Sequence, residues 1–223
     1  MLSYRELLKL EKHVEGGHFG LFYQAHEEVI VSKDRYISSV DKADSQVKRK
    51  AGSSIYFMLE NNDFSAWHRL KSDEIWHYYD GGSPIDIHVI EPDGRYHVQA
   101  LGNPAMDEKA LFQVVIKAGS WFAAEVRSKN AFGLVGCTVS PGFEYQDFEL
   151  ADKKQLASLY PHLNIVIEKF CRAPSKSNSS SLTTSSLASA ALVLVSGLGL
   201  YGLYQSGGSV TTCVDAIKSR LGF

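Results

Sequence analysis

The sequence predicts an all-β domain, an antiparallel sandwich or barrel with short helices at its two ends, followed by a tail of different composition. Three observations carry this reading. Short runs rich in β-branched and aromatic residues recur about ten times between positions 21 and 150. Turn-forming residues separate them at regular intervals, as in sandwiches and barrels. Helical spacing of apolar residues is confined to the ends of the domain.

Taken in order, Ser3 and Glu6 form a capping box, and Leu7, Leu8, Leu10 and Val14 continue an imperfect helical stripe that Gly16-Gly17 stops. Strands are expected at 21–31, 47–59, 64–70, 74–79, 85–90, 95–101, 111–117, 121–127, 131–140 and 144–150. Asn61-Asn62-Asp63, Gly81-Gly82-Ser83-Pro84, Pro92-Asp93-Gly94, Gly102-Asn103-Pro104, Gly119 and Pro141-Gly142 supply the turns. A second helical stretch begins at Asp152, is broken at Pro161 and ends near Phe170.

Composition narrows the function classes. The 223 residues carry a net charge of -2, so no basic field is present to hold nucleic acid. Cys137, Cys171 and Cys213 are scattered and form no C-x-x-C pair, which argues against a disulfide framework and a thiolate zinc site. The first residues are charged and no apolar h-region follows, so a cleaved secretory signal is not expected and an intracellular setting is.

The composition changes near residue 173. Residues 1–172 contain 20 of the 23 basic and 24 of the 25 acidic side chains. Residues 173–186 read as a flexible linker, since nine of the twelve positions 175–186 are Ser or Thr. Residues 187–204 are uncharged and apolar all round, with six Leu and with Tyr201 and Tyr204 at one end. As a helix they would span about 27 Å, close to the thickness of a bilayer core, and are expected to anchor the chain in a membrane. Lys169, Arg172 and Lys176 precede the span and form the larger basic cluster, which would keep the domain in the cytosol. Residues 205–223 form a short tail.

The residues most suggestive of chemistry lie in 65–81. Side chains alternate along a strand, so an inward His68 brings Ala66 and Leu70 inward and sends Trp67 and Arg69 out. After the turn at 71–73, Glu74, Trp76 and Tyr78 share one face. A His and a Glu on adjacent strands then make a polar focus in an apolar interior, a setting that shifts pKa values and supports ligand or acid–base chemistry. Glu74 needs a cation, for which Arg69, Lys117 or a charged His68 is available, or a wet pocket. His77 has the opposite parity and faces the cavity only if a bulge intervenes. Of the adjacent Trp121 and Phe122, only one can point inward.

This spacing is similar to the first cupin motif, His-x-His-x3-Glu-x6-Gly, with His68, Glu74 and Gly81 in place and Leu70 where a second metal-binding His would stand. The best match to the second motif, Pro-x-Gly-x2-His, is 117–122, with Lys117 for Pro and Phe122 for His. The strings EGGHF (15–19), SSIYFMLE (53–60), WHRLKSDEIWHYYDG (67–81), AGSWFAAE (118–125) and LVGCTVSPGFEYQDFELA (134–151) resemble the cupin-5 family, also called DUF985. The resemblance implies a double-stranded β-helix barrel, usually a homodimer, similar in fold to dTDP-4-keto-6-deoxyhexose 3,5-epimerases and seed-storage cupins. It implies a fold more than a reaction.

The expected ligand site comprises Phe57, His68, Glu74, Trp76, His77 and Phe122, holding a small carbohydrate- or nucleotide-sugar-like molecule. No cofactor and no metal ligand set are expected. A metal-independent epimerase or isomerase is the alternative, with His68, Glu74 and Tyr78 catalytic and Tyr78 returning the proton. A metal-dependent cupin oxygenase is a third reading, weakened by Leu70 and Phe122. A dimer is expected from outward Trp67, Trp121 and His77, which would expose much aromatic surface.

Overall fold

The computed structural model describes residues 3–36 and 46–172. The chain divides into two units, Met1–Ala173 and Pro174–Phe223. The linker, the apolar span 187–204 and the tail all lie outside the described residues.

The capping box forms: Ser3 N–H donates to Glu6 Oε2 at 2.8 Å, and Glu6 N–H donates to Ser3 Oγ at 3.3 Å. It starts one helical turn, α1 (Tyr4–Leu7), and not the longer helix expected. Lys9 turns left-handed at φ 53°, and the chain becomes extended as β1 (Glu11–Lys12). β2 (His18–Gln24) and β3 (Glu28–Val31) replace the single expected strand 21–31, and a one-turn helix α2 (Lys33–Tyr36) follows. The run 47–59 likewise splits into β4 (Val47–Lys50) and β5 (Ser53–Glu60) at Ala51-Gly52.

From there the chain follows the alternating pattern closely, as β6 (Phe64–Leu70), β7 (Asp73–Gly81), β8 (Ile85–Ile90) and β9 (Tyr96–Leu101). β10 (Ala110–Leu111), β11 (Gln113–Ile116), β12 (Trp121–Val126) and β13 (Phe132–Ser140) come next. The expected strand 144–150 is half a 3₁₀ turn, Tyr145–Asp147, and half a short strand, β14 (Phe148–Leu150).

Hydrogen-bonded ladders build two six-stranded sheets, β1-β2-β5-β13-β7-β11 and β10-β9-β8-β12-β6-β14, with β3-β4 as a separate pair. Among the described residues, only the β9–β10 pairing is parallel. The main core draws on both sheets, with Phe57, Trp76 and Val135 from the first and Ile87, Leu101 and Phe122 from the second. Alternation explains this, since one face of each strand is apolar and can leave water only against the other sheet.

The second sheet is covered on its outer face. Asp152 caps α3 (Lys153–Leu159) by accepting from Gln155 N–H at 2.9 Å, and α4 (Asn164–Lys169) follows a 3₁₀ turn at Pro161–Leu163. Leu156, Ile167 and Phe170 pack on Trp67, Ile90 and Trp121. Trp67 is 0% exposed, and its indole N–H donates to Val166 O at 3.2 Å. Trp67 and Trp121 therefore point away from the inter-sheet core as expected, but the C-terminal helices bury them, and they give no argument for a dimer.

Candidate functional site

A bulge in β6 sets the first part of the site. Phe122 pairs with His68 while Ala124 pairs with Ser65, so β6 holds one extra residue in this interval. The insertion brings Ser65 to the same side as His68. The imidazole of His68 is buried against Phe122, with ring centroids 4.0 Å apart. Its Nδ1 lies 2.7 Å from Ala66 O. A carbonyl only accepts, so Nδ1 carries a proton and Nε2 is the group free to act.

Nε2 of His68 faces a residue that the spacing of the motif did not single out. Glu15 Oε2 lies 3.3 Å from it, and His13 Nδ1 lies 3.3 Å from the same oxygen. Ser65 Oγ donates to Glu15 Oε1 at 2.9 Å. The turn after Glu15 explains why its side chain enters the core. Gly16 and Gly17 have φ of 113° and 67°, and a Cβ on Gly16 would stand 2.1 Å from Phe64 O. Only glycine permits that conformation and approach. Gly16-Gly17 therefore stops no helix, since α1 already ends at Leu7, and instead delivers Glu15. The backbone joins in, with Ala66 N–H and Arg172 Nε both donating to Glu15 O.

Burial opposes the charge of Glu15, but the charge of His68 and the bonds from His13 and Ser65 outweigh it and hold the carboxyl below its ordinary range. Burial pushes the His68 imidazole down more than Glu15 pulls it up. In its acid form His68 therefore donates to Glu15, and above its lowered pKa Nε2 becomes a base held beside a carboxylate.

Glu74 enters from the other sheet, on β7. It is buried, and its carboxyl is pushed up to about 8, first by desolvation and then by the charge of Glu15. Neither surface cation proposed for it is engaged there, since Arg69 bonds Glu149 and Lys117 bonds Asp73. Glu74 answers its burial by remaining protonated at neutral pH, and it lies beside the Cys137 thiol, which burial in turn raises well above its usual range. Trp76 shares its face, 5.5 Å from Phe57 and 6.2 Å from Phe122. Among the described residues, Glu74 Oε2 and Trp76 Nε1 have no hydrogen-bond partner.

The expected set is thus partly assembled. Phe57, His68, Glu74, Trp76 and Phe122 share the interior. His77 does not, because it pairs with Gly136 and Gln113 in a regular part of β7, and its odd parity turns it to the outer face. The ladder slips between Leu134 and Val135, too late along the strand to move it. Tyr78 keeps inward parity but donates its hydroxyl to Gly81 O at 2.8 Å. Burial and Asp80 raise its pKa, so it is a poorer acid than a free tyrosine. It borders an open hollow of about 530 Å³ with Asn103, Asp107 and Arg127.

One edge of the site is closed by the segment 143–148. Tyr145 stacks on His13 with centroids 6.3 Å apart, and Phe148 contacts both His13, at 5.9 Å, and His68, at 5.4 Å. Asp147 anchors the segment by accepting from Arg49 Nε at 2.5 Å and Nη2 at 2.9 Å. That bidentate pair is buried, a geometry that only Arg supplies.

The fold raises the question of a metal, and the residues do not fit one. Leu70 and Phe122 stand where two of the usual ligands would and offer no donor, which leaves only Nε2 of His68 and the Glu74 carboxyl at the motif positions. Among the described residues, no three His, Cys, Asp or Glu side chains are grouped to hold an ion.

Two facing β-sheets with this inward His–Glu focus define a cupin-type protein. The chain belongs to the cupin-5 family, described as Cupin superfamily (DUF985), whose model matches residues 5–151. Protein SO0799 from Shewanella oneidensis is similar in structure, with 31% identity and a TM-score of 0.63, covering 78% of this chain and 100% of that one. A hypothetical protein from Leishmania major has 29% identity and a TM-score of 0.66, with 76% and 97% covered. No curated protein matches the sequence.

Proposed function

We propose that the cupin domain binds a small, carbohydrate-like molecule between its two sheets, at a site centred on His68 and Glu74 and extended by His13 and Glu15. One observation carries this reading. Four ionisable side chains meet in an otherwise apolar interior, where a packed hydrocarbon core would cost less. Such groups are commonly retained for function at the expense of stability. Native mass spectrometry of gently purified protein tests it. A ligand should accompany the wild type and be missing from His68→Ala and Glu74→Ala that melt near the wild-type temperature. Ligand-free wild type, or both variants unfolding far below it, would mark the cluster as structural.

A metal-independent isomerase is the second reading, favoured by an unprotonated Nε2 on His68 in one sheet and a protonated Glu74 entering the interior from the other. In that scheme His68 takes a proton from a carbon beside a carbonyl, and Glu74 replaces Tyr78 as the donor. Turnover over a panel of sugar nucleotides, compared with His68→Asn, tests it; equal activity in both, or none in either, removes it.

The apolar run 187–204 is proposed to anchor the protein to a membrane with the cupin domain on the cytosolic side. Among the described residues, no helix is long and apolar enough to cross a membrane. Carbonate extraction should leave the full-length chain in the membrane pellet and release a 1–172 truncation. Release of both would refute the anchor.

A further inference from the structure

We propose a second binding site, outside the interior cluster and independent of it, that takes the phosphoryl group of a phosphorylated small molecule. The site is an open hollow of about 500 Å³ beside β14, the edge strand of the second sheet. Three basic side chains line it, Arg35 from α2, Arg69 from β6 and Lys71 from the turn after β6. Two of them are already held in place. Arg69 lies over the Trp121 ring, 4.4 Å from its centroid, and its Nε donates to Glu149 Oε2 at 2.7 Å. Lys71 Nζ donates to Tyr36 O at 3.0 Å. Side chains fixed beforehand lose little freedom when a ligand arrives. Both retain N–H groups beyond those bonds, since a guanidinium has five and an ammonium three.

The acidic residues of the hollow do not cancel its charge. Asp147 lines it but is taken up by Arg49 in the buried bidentate pair, and Glu149 offsets Arg69. Arg35 and Lys71 remain as a surplus, and the nearby Asp73 is matched by Lys117 at 2.9 Å. This surplus stands on a domain with 24 acidic and 20 basic side chains, so it is a local feature and not the general field. The Arg69–Glu149 pair is solvent-exposed, a type worth about 0–1 kcal/mol, so a more highly charged anion can displace Glu149. A phosphoryl group brings three acceptor oxygens, one for each of the three cations, where a planar carboxylate brings two. The volume leaves room for the body of a small molecule. Phe148, which also packs on His68 at 5.4 Å, offers that body an apolar wall.

Inorganic pyrophosphate, titrated calorimetrically into full-length protein in a non-ionic detergent at low salt, is the probe, and malonate is the carboxylate comparator. Saturable binding of one pyrophosphate per chain is expected, weakening as salt is added. Lys71→Gln should weaken it about tenfold and Arg35→Gln about threefold or more, as expected for lost charge-assisted hydrogen bonds at a partly buried and an exposed position. Lys129→Gln, in the turn between β12 and β13, should bind like the wild type. Malonate should bind at least about tenfold more weakly than pyrophosphate. Near-UV circular dichroism checks the fold of each variant, and Arg35→Gln, an exposed position, decides the matter if Lys71→Gln does not fold. No pyrophosphate binding, unchanged binding by both hollow variants, an equal loss in Lys129→Gln, or malonate binding as tightly would overturn the inference.

Discussion

Nε2 of His68 lies 3.3 Å from Oε2 of Glu15, joining the second sheet to the loop that precedes β2. His68 is oriented through its other nitrogen by Ala66 O, so the contact is made by a ring that cannot choose a different tautomer without losing a bond. Proton exchange at this pair therefore takes place on Nε2.

Glu15→Gln should lower the pKa of His68 further, because the Glu15 charge is what raises it against burial. Two-dimensional ¹H–¹⁵N NMR of the imidazole across pH reads this directly. An unchanged midpoint would mean that the two groups are not coupled.

Glu74 makes stability depend on pH. Its folded pKa of about 8 lies above its ordinary value of 4.5, so the folded state binds more protons between them. Its contribution is complete below pH 4.5 and is lost as pH rises through 8, so stability falls across that window. Glu74→Gln should flatten this slope and be more stable than the wild type at pH 8 by roughly 1–3 kcal/mol. Urea melts of both proteins between pH 5 and 8.5 are the check, and parallel curves would contradict the assignment.

Removing Asp147 from the buried Arg49–Asp147 pair should cost about 3–5 kcal/mol, since it leaves Arg49 an uncompensated buried charge, and removing Arg49 should cost less, since Lys71 Nζ still lies 3.8 Å from Asp147 Oδ1. Arg49→Met with Asp147→Leu should recover part of that loss. Thermal melts of the single and double variants measure it. A single variant within about 0.5 kcal/mol of wild type would show that the pair does not hold the segment 143–148 in place.

The domain is expected to dimerise through the outer face of its first sheet, where Phe22 and Tyr79 are 62% and 51% exposed. Both pack edge-on against Tyr56, at 5.3 and 5.9 Å, forming an aromatic patch beside His77 on the same face. Such patches are uncommon on monomers. Light scattering of residues 1–172 at micromolar concentration should give a dimer mass, and Phe22→Ser with Tyr79→Ser should give a monomer. A monomeric wild type would reject the interface.

What could be read from the chain alone was whatever depends on neighbouring residues. Period-two alternation placed Glu74, Trp76 and Tyr78 on one face, and the motif gave His68 and Phe122 their inward positions. Glycine, proline and asparagine marked nearly every turn. Those signals are local, because strand parity and turn conformation are set within a few residues. The tertiary structure decided the rest. Glu15 meets His68 only because Gly16 and Gly17 fold back against Phe57 and Phe64, a contact between distant parts of the chain that no spacing encodes. Trp67 and Trp121 look exposed by parity and are buried because helices from the end of the domain lie over them. Glu74 reads as a carboxylate in search of a cation, yet it is a neutral acid, because its charge state depends on desolvation and on the nearness of Glu15, both properties of the folded interior.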